Sequence, residues 1–433
     1  MLALAGLVIY LRLLAALELS GGQKSYANYS LISVTCHSDE QREVLENIER
    51  QEVETGTFGV ELWHPPVLGR SIDVLVSPSC LPEFLEELED NNITYEFIVN
   101  NIEKILESEV PSTRQYDQAT DRFMRLKEIE DHLRGLKEHH PHLVSLENIG
   151  ASYENRSLVV VKLTNRSFRQ KRVIWIDAGI HAREWIAPAT ALYIISKLLT
   201  EETAKKYLEE YDWRVLPMMN PDGYHYTHTV DRMWRKNRRR GPCKCFAWAK
   251  FCCDGVDLNR NFDYEWGGIG SSKNPCESTY RGSGAFSEPE STAVRDYLLG
   301  MANRTSLYLT LHSYGQFWVY PFSDRLNSYS DDFDELDKLA KNATSALESV
   351  YGSKYRVGTA ADVMYPTTGS SADWAKSLAN IKYVFGVELR PSNERGLKAV
   401  MRRTAGFIIP PSEIRQSGEE MWAAISALLD GMT

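Results

Sequence analysis

Val173-Ile174-Trp175-Ile176-Asp177-Ala178, followed at once by Gly179-Ile180-His181-Ala182-Arg183-Glu184, sets the reading of the whole chain. The first six residues are a nearly unbroken apolar run, suited to a strand in the middle of a sheet covered on both faces. Leu158–Leu163, Leu307–Leu311 and Tyr383–Leu389 are further strands of this kind. Helical spacing falls around them at Glu184–Leu199, Pro289–Leu298, Phe333–Val350 and Gly418–Leu429. The alternation predicts one large α/β domain over residues 115–433, with a mixed, mostly parallel central sheet and helices on both faces.

Upstream, residues 26–108 read as a separate α+β unit. Strands are expected at Tyr29–Val34, Val60–Trp63, Ile72–Val76 and Thr94–Ile98. Helices are expected at Asp39–Gln51 after a Ser38 cap, at Pro82–Leu88 after Ser79, and near Ile102–Leu106. The order β-α-β-β-α-β is that of a ferredoxin-like open sandwich. Residues 109–114 are polar, contain Pro111 and end at Arg114, as an exposed linker open to a trypsin-like protease would. Residues 1–20 are mostly Leu, Ala, Val and Ile and lead into small residues, so they read as a secretory signal peptide, although Arg12 interrupts the apolar run. Six glycosylation triplets, at Asn28, Asn92, Asn155, Asn165, Asn303 and Asn342, point the same way, to a secreted, extracellular protein.

The charge is unevenly placed. The 433 residues carry a net −10, which argues against a general nucleic-acid binder. Residues 21–114 hold 18 Asp/Glu against 6 Lys/Arg, whereas residues 115–433 are close to neutral at +2. Two bodies with complementary fields, or simply a solvated acidic surface, would produce this split. No apolar stretch is long enough to span a membrane. No nucleic-acid or membrane partner is expected, and the chain reads as a monomer.

His181 and Glu184, three residues apart at a strand's carboxyl end, can turn towards one point. Zinc takes imidazole nitrogen and carboxylate oxygen at about 2 Å, and a catalytic site keeps a fourth position open beside three protein ligands. His312, ending the strand Tyr308–Leu311, offers the third. His-x-x-Glu alone is a weak signal; its position at the strand ends of an α/β sheet, where ligand sites gather, strengthens it. Cysteine-bound structural zinc at Cys243, Cys245, Cys252 and Cys253 is the competing reading, and disulfides fit a secreted chain better.

Other residues carry charge where it needs a purpose. Arg232–Arg240 is a dense basic run, most simply a solvated face or a nucleic-acid patch. Asn259-Arg260 pairs an amide with a guanidinium, a combination that can hold a carboxylate. Tyr365, ahead of Gly369-Ser370-Ser371, places a phenol on a loop able to close over a ligand. Glu388 sits in the apolar strand Tyr383–Leu389, where a carboxylate is costly without a partner; a structural ion pair is the plain alternative to a catalytic role.

Taken with Asn220-Pro221-Asp222-Gly223-Tyr224, Arg232-Met233-Trp234-Arg235-Lys236, Gly255–Asn261, Leu311-His312-Ser313-Tyr314, Asp373-Trp374 and Phe385–Arg390, these segments resemble the secreted zinc metallocarboxypeptidases of the pancreatic A/B type. The likeness covers nearly the whole chain, including the acidic unit, which resembles the family's inhibitory propeptide. It implies one Zn²⁺ held by His181, Glu184 and His312, with Glu388 as general base and Arg235 on the oxyanion. Asn259, Arg260 and Tyr365 would grip the terminal carboxylate of a peptide or protein substrate, with Arg183 one residue further in. The specificity pocket would have Ala372 at its floor, with Ser323 and Gly386 beside it. Because this floor is neutral, a Lys or Arg side chain would find no partner, and apolar or aromatic terminal residues are expected. Cleavage after Arg114 would activate the zymogen.

The resemblance also pairs Cys253 with Cys276. Cys243, Cys245 and Cys252 fall in a segment longer than the family's and leave an odd number of cysteines, while Cys36 and Cys80 are available to pair within the propeptide. Arg390-Pro391 stands where relatives carry a cis bond to a non-proline residue. A catalytically inactive relative that only binds peptides would have lost a ligand or the base, yet all are present. A carboxypeptidase with basic preference is disfavoured by Ala372.

Overall fold

The computed structural model describes residues 22–109, 122–165, 170–246, 249–392 and 404–432. The expected signal peptide, most of the linker and Arg114 lie outside them.

The smaller unit runs β1 (Ser30–Thr35), α1 (Asp39–Thr55), β2 (Val60–Leu62), β3 (Ser71–Val76), α2 (Leu81–Asp90), β4 (Thr94–Val99) and a short α3 (Ile102–Leu106). Its strands pair antiparallel in the order β2-β3-β1-β4, the ferredoxin-like sandwich expected from the sequence. Ser38 caps α1 by accepting the Gln41 amide, and Gly56 ends the helix at φ 72, a conformation natural to glycine. The helix expected after Ser79 starts at Leu81; its cap position is Cys80, which makes no side-chain capping bond. The pairing considered for Cys36 and Cys80 is not formed, and both remain buried thiols. Ser30 faces Val76 and Thr35 faces Ser71, so the two cysteines follow opposite ends of the β1–β3 ladder.

The larger unit begins with α4 (Leu126–His139), β5 (Val144–Ala151), β6 (Ser157–Leu163) and β7 (Arg172–Ala178). Next come α5 (Ile186–Thr200), α6 (Lys205–Glu210), β8 (Tyr211–Leu216), α7 (Pro221–Thr229) and a hairpin of β9 (Cys243–Phe246) with β10 (Ala249–Cys252). It continues through α8 (Pro289–Leu299), β11 (Thr305–Gly315), β12 (Phe317–Tyr320), α9 (Phe333–Tyr351) and β13 (Arg356–Thr359). The last elements are α10 (Ala360–Val363), α11 (Ser371–Ser377), β14 (Tyr383–Ser392) and α12 (Ser412–Gly431). Eight strands form one sheet in the order β13-β12-β14-β11-β7-β8-β6-β5. β14, β11, β7 and β8 are parallel to one another, and antiparallel pairings begin on either side of them. Apolar side chains of α5, α9 and α12 cover one face of this sheet. The other face packs Val160, Trp175, Tyr308 and Val384 against Leu258, Phe262 and Trp374. β7 leads to β8 on one side and borders β11 on the other, so the chain changes direction across the sheet there, where α/β folds keep their ligand crevice.

The two units share a buried apolar cluster. Trp63, Leu75, Ile98 and Ile102 of the smaller unit meet Tyr314, Phe407 and Ile408 of the larger. Cys253 and Cys276 are joined, as the resemblance implies, and a second disulfide links Cys243 to Cys252 across the hairpin. The side chain of Cys245 lies outside the described residues. The Arg390-Pro391 bond is cis.

Candidate active site

β7 ends at Ala178, and the chain turns through Gly179 at φ 69, where a side chain would be strained and would meet Met218 at 3.0 Å. His181 and Glu184 lie in the turn that follows. The sequence pattern starts a helix at Glu184, but α5 starts at Ile186, because the Glu184 carboxylate is turned towards His181. His312 likewise lies inside β11 rather than at its end, since the strand continues to Gly315.

The three expected ligands converge. His181 Nδ1 is 2.7 Å from Glu184 Oε1, and His312 Nδ1 is 3.2 Å from both His181 Nδ1 and Glu184 Oε2. All three residues are buried, with ligand atoms within 4.8 Å of one another. Their outer nitrogens are engaged: Asp257 Oδ1 lies 3.2 Å from His181 Nε2, and Thr310 Oγ1 lies 3.2 Å from His312 Nε2. A carboxylate only accepts, so Asp257 holds the proton on Nε2 and leaves the Nδ1 lone pair of His181 facing inwards. Lone pairs brought this close beside a buried carboxylate repel unless a cation lies among them. Two imidazole nitrogens and one carboxylate are the donor set that suits a zinc ion.

Charge around this point is ordered. Asp257 also accepts from Arg235, through Nε at 3.1 Å and Nη2 at 2.9 Å, and Arg235 Nη1 lies 3.8 Å from Glu184. Burial opposes ionisation of Asp257, but Arg235 and Arg260 outweigh it and hold the carboxyl well below its usual range. Burial lowers the basicity of His181, and Arg235 lowers it further, so the ring stays neutral and able to bind a metal. Glu388 reaches the same cavity from β14, and its Oε2 is buried without a hydrogen-bond partner among the described residues. Burial pushes its carboxyl up to about 8 despite the opposing pull of His312.

The remaining expected residues line this cavity, of about 80 Å³, or sit beside it. Asn259 Oδ1 accepts the Ser371 amide at 2.9 Å, and Arg260 donates to Gly270 and Asn259 carbonyls at 2.8 and 2.9 Å. These bonds fix both side chains at the cavity wall. Tyr365 is half-buried on the loop after α10, beside the ring of His64 from the smaller unit. Ala372, Gly386 and Ser323 line the same cavity with Ala360, Thr367 and Asp373. The Ser323 hydroxyl is not open to a ligand: it is buried and donates to Asp373, with the Thr367 carbonyl 3.0 Å away. Asp373 also accepts the Ser323 amide at 3.0 Å, so this carboxyl is occupied. Arg183 is fully buried, paired with Glu61 and stacked on Phe407.

Asp257, Thr310 and His64 were missed from the sequence. Asp257 could have been found two residues before Asn259, in the same motif. Nothing local marks Thr310 or His64. The basic run is not an open patch: Arg232 is buried and makes a bidentate pair with Glu109 at 2.6 and 2.7 Å, and Arg238 stacks on Tyr226.

Comparison with known proteins agrees with this geometry. Residues 129–424 match the zinc carboxypeptidase family and residues 32–109 match the carboxypeptidase activation peptide. The chain therefore belongs to the zinc carboxypeptidases, metal-dependent hydrolases, in the form that carries an activation peptide. It is similar to zinc carboxypeptidase A 1 of Anopheles gambiae, with 35% identity over 94% of this chain and 90% of the relative. It is also similar to carboxypeptidase B of Astacus astacus, with 38% identity over 70% and 94% of the two chains. The crystal structure of carboxypeptidase A from Helicoverpa armigera superposes with a TM-score of 0.82 at 28% identity, covering 94% of this chain and 98% of that one.

Proposed function

We propose that the chain is a secreted, monomeric zymogen whose mature part, residues 115–433, removes the last residue of peptides and proteins, favouring apolar and aromatic side chains. The convergence of His181, Glu184 and His312 in one cavity with Glu388, Arg235, Asn259 and Arg260 carries this reading. Zinc held by the first three would lower the pKa of a water and polarise the scissile carbonyl.

The chain's own side chains do the rest. Asn259, Arg260 and Tyr365 hold the free terminal carboxylate, which an internal peptide bond lacks, and Arg183 orients the residue upstream. Glu388 takes the proton of the attacking water and returns it to the leaving amine. Arg235, oriented by Asp257, stabilises the developing oxyanion. The terminal side chain enters the pocket closed by Ala372, where the carboxyl of Asp373 is already bonded to Ser323. That occupancy disfavours a basic preference. All six sequon asparagines are exposed, which supports the secretory reading, residues 1–20 acting as the signal peptide. A trypsin-like protease would release the mature part after Arg114.

The test is turnover of short peptides ending in Phe, Trp, Leu, Lys and Glu by protein cut after Arg114. Chelator-reversible release of Phe, Trp and Leu is expected, with none from peptides whose terminal carboxyl is amidated. Preferred release of Lys would overturn the specificity.

A further inference from the structure

Asp177 is a carboxyl group that the chemistry above does not use. It lies near the end of β7, an otherwise apolar strand, and its side chain is fully buried. A carboxyl in such a place is costly unless its oxygens are hydrogen-bonded. Oδ2 accepts Trp175 Nε1 at 2.6 Å, which leaves Oδ1, buried and without another close partner among the described residues. The register partner of Asp177 on β11 is Thr310, whose hydroxyl acts on the carboxyl as a hydrogen-bond donor. The same hydroxyl oxygen lies 3.2 Å from His312 Nε2, and Thr310 is itself buried. A carboxyl, a hydroxyl and an imidazole therefore stand in line on two adjacent strands, their spacing set by the backbone ladder.

The direction of the bonds follows from the groups. An ionised carboxyl only accepts, whereas a hydroxyl has one proton to give and two lone pairs. With its proton turned to Asp177, Thr310 can meet His312 Nε2 only as an acceptor. Nε2 then carries the ring proton, and Nδ1, which faces His181 and Glu184, keeps its lone pair. We propose that Asp177 is a positioning residue for His312: acting through the Thr310 hydroxyl, it fixes the tautomer that offers Nδ1 to a metal ion, as Asp257 does directly for His181. The inference rests on the zinc reading of the three ligands.

The full-length chain is stripped of metal, and zinc alone is added back against a competing chromophoric chelator. Thr310→Val keeps the shape of the side chain without its hydroxyl and should weaken zinc binding about 10–100-fold, as the loss of a partner behind a ligating histidine usually does. Thr310→Ser restores the hydroxyl and should return the affinity close to that of the parent. In Asp177→Asn the amide oxygen is held by Trp175, so an N–H faces Thr310. The hydroxyl proton then turns to His312 Nε2, and the ring proton moves to Nδ1. Nitrogen-15 spectra of the histidine-labelled, metal-free chain read this directly, His312 being identified by the signals lost in His312→Asn. The proton is expected on Nε2 in the parent and on Nδ1 in Asp177→Asn. Zinc bound as tightly by Thr310→Val as by the parent, no recovery in Thr310→Ser, or a proton that stays on Nε2 in Asp177→Asn would each overturn the proposal. Should Asp177→Asn fail to fold, the two Thr310 variants decide it. A parent chain that takes up no zinc would instead overturn the metal reading on which the proposal stands.

Discussion

Glu388 and His312 are register partners on adjacent parallel strands, β14 and β11. Their side chains therefore leave the sheet beside each other and towards the same crevice. This pairing fixes the spacing between a buried carboxylate and a candidate metal ligand through backbone hydrogen bonds rather than through a flexible loop.

Glu388→Gln keeps the shape of the side chain and removes its ability to take a proton. Loss of about 10²–10⁴-fold in kcat is expected, the range of a general base, with little change in KM. Zinc content measured on the same preparation should stay at one per chain.

The acid limb of the pH profile belongs to the same residue. As the proposed general base, Glu388 would work only when ionised, so kcat/KM is expected to fall as pH drops through its pKa. Burial moves that pKa from 4.5 up to about 8, and a bound cation beside it moves it down again. The limb is expected between those values. A profile that stays flat down to about pH 4 would assign the proton transfer elsewhere.

Asp257→Ala removes the acceptor that orients both His181 and Arg235. Zinc affinity should weaken about 10–100-fold, as for other carboxylates behind a ligating histidine. Competition with a chelator measures this without relying on turnover. Activity restored by excess zinc should still fall short of the parent, because Arg235 has lost its partner as well.

Ala372→Asp would add a carboxylate to the wall of the cavity that the proposed function gives to the terminal side chain. Peptides ending in Lys or Arg should gain in kcat/KM and those ending in Phe should lose, a reversal read from paired substrates. An unchanged ranking would mean that Ala372 does not face the terminal side chain.

The sequence carried the chemistry better than the edges of the sheet. His181, Glu184, His312, Glu388 and Asn259-Arg260 were legible because each sits in a dense local motif at the end of, or within, an apolar strand. β12 and β13 were not, since four-residue strands carry too little alternation to read. The start of α5 was misplaced because Glu184 looks like a helical residue until its carboxylate is seen to face His181. Cys36 and Cys80 were considered as a pair on count alone, and only the β1–β3 register separates them. The link between Cys243 and Cys252 needed the hairpin geometry.

The apolar cluster shared by the two units bears on the order in which the protein is made. Tyr314, Phe407 and Ile408 would face water in a chain that lacked Trp63, Leu75 and Ile98. Synthesis delivers those covering residues first, so the nascent larger unit finds its shelter already folded. Without the smaller unit, that greasy flank would emerge from the ribosome bare and favour clumping of the young polypeptide.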